Sequence, residues 1–128
     1  MFLSGSRKPR LLVLDSRKYH LLFDAILSGD YEVIATADPG EAVAMATSQD
    51  PDLVLVSCSA DTTEGITIVK AMRESASLKA PILLMLTSDR PTLRREAEKA
   101  GCNGFLIKPI TPDKLRSQIS SLLDRTSS

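Results

Sequence analysis

Short apolar runs alternate along the chain with segments of helical periodicity. Five runs stand out: Leu11–Leu14, Tyr31–Ala37, Leu53–Val56, Ile82–Leu86 and Phe105–Ile107. In all but the weaker second one, apolar residues fill successive positions rather than alternate ones. That is the pattern of strands buried on both faces, as in a parallel sheet. Between the runs, Tyr19, Leu22, Phe23, Ile26 and Leu27 form one helical stripe that Ser28-Gly29-Asp30 stops. Asp38 reads as an N-cap with Pro39 at the first helical position, and Ala42, Val43 and Ala46 give that helix a buried face. Ile66, Val69 and Met72 mark a third helix. Leu93, Ala97 and Ala100 mark a fourth, ending at Gly101. Leu115, Ile119, Leu122 and Leu123 mark a fifth, opened by Thr111-Pro112. Strand followed by helix, five times over, predicts an α/β doubly wound parallel sheet. One domain is expected over residues 10–123, with tails at 1–9 and 124–128.

Composition narrows the function more than the fold. A chain of 128 residues holds one ordinary core. Sixteen basic and sixteen acidic residues give zero formal charge, which argues against binding the nucleic-acid backbone. With no Trp and 4% aromatic residues, a stacking platform for single strands is not expected either. Cys58, Cys102 and the one histidine, His20, make neither a disulfide framework nor a Cys/His metal site. Both cysteines read as inert small residues. No apolar run approaches the roughly 20 residues of a membrane span, and Met1–Arg10 lacks the apolar core of a signal peptide. The expectation is a cytoplasmic chain with reduced thiols and no membrane contact.

Functional side chains of an open parallel sheet gather at the carboxyl ends of its strands. Here those ends read Asp15-Ser16, Ser57-Cys58, Thr87-Ser88 and Lys108-Pro109. A carboxylate, several hydroxyls and an ammonium are therefore expected on one rim. This layout resembles the receiver domain of two-component response regulators, the CheY-like family, from about Pro9 to Leu123. Asp15, Pro51-Asp52 before the third strand, Glu64-Gly65, Thr87 and the stretch Ala100-Gly101-Cys102-Asn103-Gly104-Phe105-Leu106-Ile107-Lys108-Pro109 carry the resemblance in register.

The resemblance implies a flavodoxin-like (βα)5 sandwich with strand order 2-1-3-4-5. It also implies phosphoryl transfer from a histidine kinase to an Asp ending the third strand, with Mg²⁺ held by acids after the first. This sequence departs from that pattern. Ser57 stands at the phosphoacceptor position, Ser16 at the second acid, and Arg17 follows. One carboxylate makes a poor Mg²⁺ site, so binding is expected to be weak or absent. Ser57 is a weak nucleophile without an adjacent base, and His20 reads as a solvated residue of the first helix. Asp61 and Glu64 have the spacing of a capping box, which outweighs a catalytic reading.

The degenerate pocket thus comprises Asp15, Ser16, Ser57, Thr87 and Lys108, with no catalytic residue and no metal. Lys108, deprived of its family partner, is expected to turn to Asp15. The resemblance further implies a cis bond between Lys108 and Pro109 and a switch aromatic at Phe105. It implies a partner face on the fourth helix, fifth strand and fifth helix, on or near which Arg94, Arg95, Lys99, Asp113 and Lys114 fall. Its mixed charge suits a homodimer. Arg17-Lys18 reads as a solvated pair flanking the pocket. The expected function is a phosphorylation-independent receiver that binds a histidine kinase or a downstream regulator. Alternatives are a receiver module of a longer chain with an output domain, and a flavodoxin-like cofactor binder. Against the latter, Asp15-Ser16-Arg17-Lys18 contains no glycine for a phosphate loop.

Overall fold

The computed structural model describes residues 7–57, 62–87 and 89–127, and the side chains of all of these except 62, 63 and 125–127. Its strands are β1 (Arg10–Leu14), β2 (Glu32–Thr36), β3 (Leu53–Ser57), β4 (Ile82–Leu86) and β5 (Gly104–Ile107). Its helices are α1 (His20–Leu27), α2 (Pro39–Ser48), α3 (Thr62–Glu74), α4 (Pro91–Ala100) and α5 (Pro112–Ser127), with a short 3-10 turn at Arg17–Tyr19 before α1. All strand pairs are parallel, in the order β2-β1-β3-β4-β5. This is the CheY-like, flavodoxin-like arrangement.

The continuous apolar runs are explained by two cores, one on each side of the sheet. Leu12, Leu14, Val54, Val56, Leu84 and Leu86 pack against α2, α3 and α4 through Ala42, Val69, Met72 and Ala97. Their neighbours Leu11, Val13, Leu53, Leu55, Leu83 and Met85 pack against α1 and α5 through Phe23, Leu27, Leu115 and Ile119. Successive side chains of a strand point to opposite faces, so each strand feeds both cores. Full burial of a leucine is worth about 1.5–3 kcal/mol, which ties the sheet to both helix layers.

The helix signals act as expected at two ends. Asp38 Oδ1 accepts the Gly40 N–H at 3.2 Å at the start of α2, and Thr111 Oγ1 accepts the Lys114 N–H at 3.2 Å at the start of α5. Elsewhere the structure differs from the expectation. Helix α5 runs on to Ser127, past the Leu123 where its apolar stripe ends. Leu22, expected on the buried face of α1, is 54% exposed beside Leu21 at 83%. Only Phe23 and Leu27 of that stripe are buried, because a helix lying on a flat sheet presents a face narrower than the stripe. In α3, Ile68 is buried and Ile66 only partly so. Cys58 and Asp61 lie outside the described residues.

A polar clamp at the amino ends of β4 and β5 escaped the sequence pattern. Arg73, in the last turn of α3, makes five hydrogen bonds. Its Nη1 donates to Leu78 O (2.7 Å) and Ala80 O (2.8 Å), and its Nε (3.1 Å) and Nη2 (2.9 Å) to Gly101 O. Nη2 also donates to Asn103 Oδ1 at 2.7 Å, which in turn accepts the Ile82 N–H at 2.9 Å. Every guanidinium donor is used. Gly101 has φ +120°, and a Cβ there would stand 2.6 Å from Arg73 Cγ, so only glycine admits the clamp. Cys102 is buried beside it. Burial pushes its thiol up to about 12, with Arg73 opposing part of the shift.

Two outcomes are expected. Arg73→Ala leaves several carbonyls without their charged donor and lowers stability by about 2–4 kcal/mol in urea unfolding. A loss under about 1 kcal/mol would remove the clamp's structural role. In a Cys58→Ala background, Cys102 resists alkylation at pH 8 in the folded chain and reacts on unfolding. The unfolded thiol ionises first as pH rises, so Cys102 costs stability progressively from about pH 9 towards 12. Replacing it by alanine flattens that alkaline slope, measured as denaturation midpoint against pH.

Candidate functional site

Parallel register fixes what stands on the carboxyl rim. Leu14 pairs with Val56, so Asp15, just past β1, is level with Ser57, the last residue of β3. Leu86 pairs with Ile107, so Thr87 is level with Lys108. Ser57 itself pairs with Met85, so Thr87 and Lys108 stand two residues farther out along the strand direction than Asp15 and Ser57, on the same carboxyl rim in the order β1-β3-β4-β5.

Their environments differ. Asp15 is 4% exposed and Ser57 2%, whereas Thr87 is exposed and Lys108 and Ser16 are half-buried. Asp15 Oδ1 accepts the Ser16 N–H at 2.7 Å, with the Ser16 hydroxyl 3.4 Å away. These contacts fold the carboxylate back onto its own loop. Ser57 Oγ is buried with no hydrogen-bond partner among the described residues. The expected pair between Lys108 and Asp15 is not formed: both line one cavity, but no ion pair joins them among the described residues. Half-burial leaves the ammonium within reach of water, so it can do without that partner. The Lys108–Pro109 peptide bond is cis.

His20 is not the solvated residue the sequence suggested. Its Nε2 lies 2.9 Å from Asp15 O and donates to that carbonyl, pinning the loop between β1 and α1. Its partner is a backbone atom five residues away, which no side-chain pattern announces.

A cavity of about 480 Å³ opens beside the rim, between α1 and the β5–α5 connection. Asp15 and Lys108 line its polar end. Tyr19, Leu22 and Phe23 form one wall, and Ile110, Pro112 and Leu115 another. The sequence held one signal for it. The α1 stripe is wider than the core requires, and the surplus residues face the cavity.

On the other flank, Phe105 is half-buried against the α2–α4 core. The Arg94 guanidinium stands 5.6 Å from its ring centroid, a cation–π contact. Arg94 Nε lies 2.7 Å from Asp89 Oδ1, but its N–H points out of line for a hydrogen bond, so this contact is an ion pair. Arg94 is thus engaged with Phe105 and is not a free surface charge. Arg95, Lys99, Asp113 and Lys114 are exposed.

The described rim residues do not fit Mg²⁺. Among them one carboxylate, Asp15, is flanked by the neutral Ser16 and Ser57 and by the cation Arg17, and no acid or His/Cys cluster of metal-binding size is present. Mg²⁺ keeps its water unless carboxylates or phosphates replace it.

Known proteins match this arrangement. The family model of the response regulator receiver domain matches residues 11–120. The chemotaxis protein CheY of Halobacterium salinarum is 31% identical over 117 residues, covering 91% of this chain and 97% of its own. The alkaline phosphatase synthesis transcriptional regulatory protein PhoP of Bacillus subtilis is 25% identical over 119 residues, and the chain spans 49% of its length. A crystal structure of the Vibrio cholerae chemotaxis protein CheY4 superposes with a TM-score of 0.81 at 28% identity, covering 90% of this chain and 98% of that one. No described helix is long and apolar enough to cross a membrane.

A buried hydroxyl without a partner contributes nothing to folding. Ser57→Ala is expected to leave stability unchanged or raise it by up to about 1 kcal/mol in thermal unfolding. A loss above about 1.5 kcal/mol would mean that Ser57 Oγ is hydrogen-bonded.

Proposed function

The chain belongs to the response regulator receiver domain family, and from that premise we propose that it works in two-component signalling without an aspartyl-phosphate switch. On this reading it is a binding module, not an enzyme, and needs neither Mg²⁺ nor another cofactor. One observation carries the proposal: β3 ends in Ser57, a buried neutral hydroxyl, where the chemistry requires a carboxylate beside a second acid. The Ser16 position, also neutral, deepens the deficit.

The state of Phe105 supports the same reading. Arg94 covers its ring and Asp89 holds Arg94, so the aromatic has a fixed partner that does not depend on events at Thr87. A receiver whose aromatic is held this way presents a constant surface. The exposed, mixed charges Arg95, Lys99, Asp113 and Lys114 form the face we assign to a protein partner, a histidine kinase or a downstream regulator. Opposite signs on one face also suit a second copy of the chain.

A second reading has its own support. PhoP is about twice as long as this chain, so the domain can serve as the receiver half of a protein with an output domain. The size of the protein made in its native cell, read by immunoblot, separates the two.

Incubation with Mg²⁺ and acetyl phosphate, followed by intact mass measurement, tests the main reading. The mass stays unmodified while a CheY receiver treated in parallel gains a phosphoryl group. A phosphoryl adduct on any Asp or on Ser57 would overturn it.

A further inference from the structure

The cavity beside the rim holds two opposite charges that do not pair with each other. Asp15 is 4% exposed and lines the cavity. Its Oδ1 is taken by the Ser16 N–H, while Oδ2 has no partner among the described residues. Lys108 lines the same cavity, and its ammonium makes no ion pair or hydrogen bond among the described residues. The remaining wall is mainly apolar, from Phe23 and Ile26 on α1 to Ile110 and Leu115 beyond β5. Its volume of about 480 Å³ is in the range of small-molecule sites.

A carboxylate this buried is costly unless its oxygens are satisfied. A simple cation would answer Asp15 and be repelled by Lys108. A simple anion would meet the reverse. A neutral apolar molecule would fill the walls and strand both charges. The arrangement is complementary to a head group that carries both signs, joined to an apolar body. We propose that this cavity binds a free α-amino acid with a large apolar side chain. Its ammonium donates to Asp15 Oδ2, its carboxylate accepts from Lys108 Nζ, and its side chain lies between α1 and Leu115. The site uses no phosphoryl chemistry, so it stands or falls apart from the phosphorylation reading.

Amide NMR titration of the full chain with L-phenylalanine tests the proposal, with phenethylamine, hydrocinnamate and glycine as probes lacking one charge or the apolar body. L-Phenylalanine is expected to give shifts around Tyr19, Phe23 and Ile110 that saturate by about 10 mM, as befits a ligand of that size. The three partial probes bind at least about fivefold more weakly, phenethylamine and hydrocinnamate for the loss of one charged contact and glycine for the loss of the apolar one. Asp15→Asn, which keeps an oxygen for the Ser16 N–H, and Lys108→Met each weaken binding by a similar factor while the remaining spectrum stays folded. The proposal is overturned if no probe gives saturable shifts at the cavity. It is equally overturned if a singly charged probe matches the amino acid, or if both variants bind as the parent does.

Discussion

Parallel strands buried on both faces constrain everything else in this molecule. Each strand must supply apolar side chains to two cores, so its interior positions are committed to packing. Polar residues are admitted only where a strand leaves the cores. Because all five strands run the same way, those exits fall on one rim, in the order the pairing dictates. The core is indifferent to what the rim carries, since Ser57 and an acid would end β3 equally well. A family fold can therefore persist while the chemistry of its site changes.

Stability and site sit at opposite ends of the sheet. Arg73 ties the end of α3 to the amino ends of β4 and β5 through three carbonyls and Asn103. The described residues of the carboxyl rim have no comparable network. Asp15 is folded onto Ser16, and among the described residues Ser57 Oγ has no hydrogen-bond partner and Lys108 no ion pair. A rim under so little structural demand is free to bind, and its two open charges and apolar flank define what it can bind.

The sequence made most of the architecture legible because burial on both sides leaves an unmistakable apolar run, and because Asp38-Pro39, Gly101 and Thr111-Pro112 mark helix ends by local chemistry. Rim residues were legible for the same reason: each follows directly on such a run. What stayed hidden depends on contacts across the chain. Arg73 serves carbonyls at Leu78, Ala80 and Gly101, and His20 serves the carbonyl of Asp15, and a carbonyl has no sequence signature. Leu22 fits the α1 stripe in one dimension and misses the core in three, because the stripe wraps beyond the width of the contact. The unformed Asp15–Lys108 pair shows the converse error. Opposite charges brought to one rim need not meet: Asp15 Oδ1 takes the Ser16 N–H, and Lys108 makes no ion pair among the described residues.

On the proposed reading, the rim assembles no metal-assisted phosphoryl site around Asp15. A titration of the chain with Mg²⁺, followed at the Asp15 and Ser57 amides by NMR, tests it most directly. Shifts that grow linearly and weakly, without saturating at millimolar Mg²⁺, are the predicted result. A saturable, millimolar-or-tighter response centred on Asp15 would contradict it.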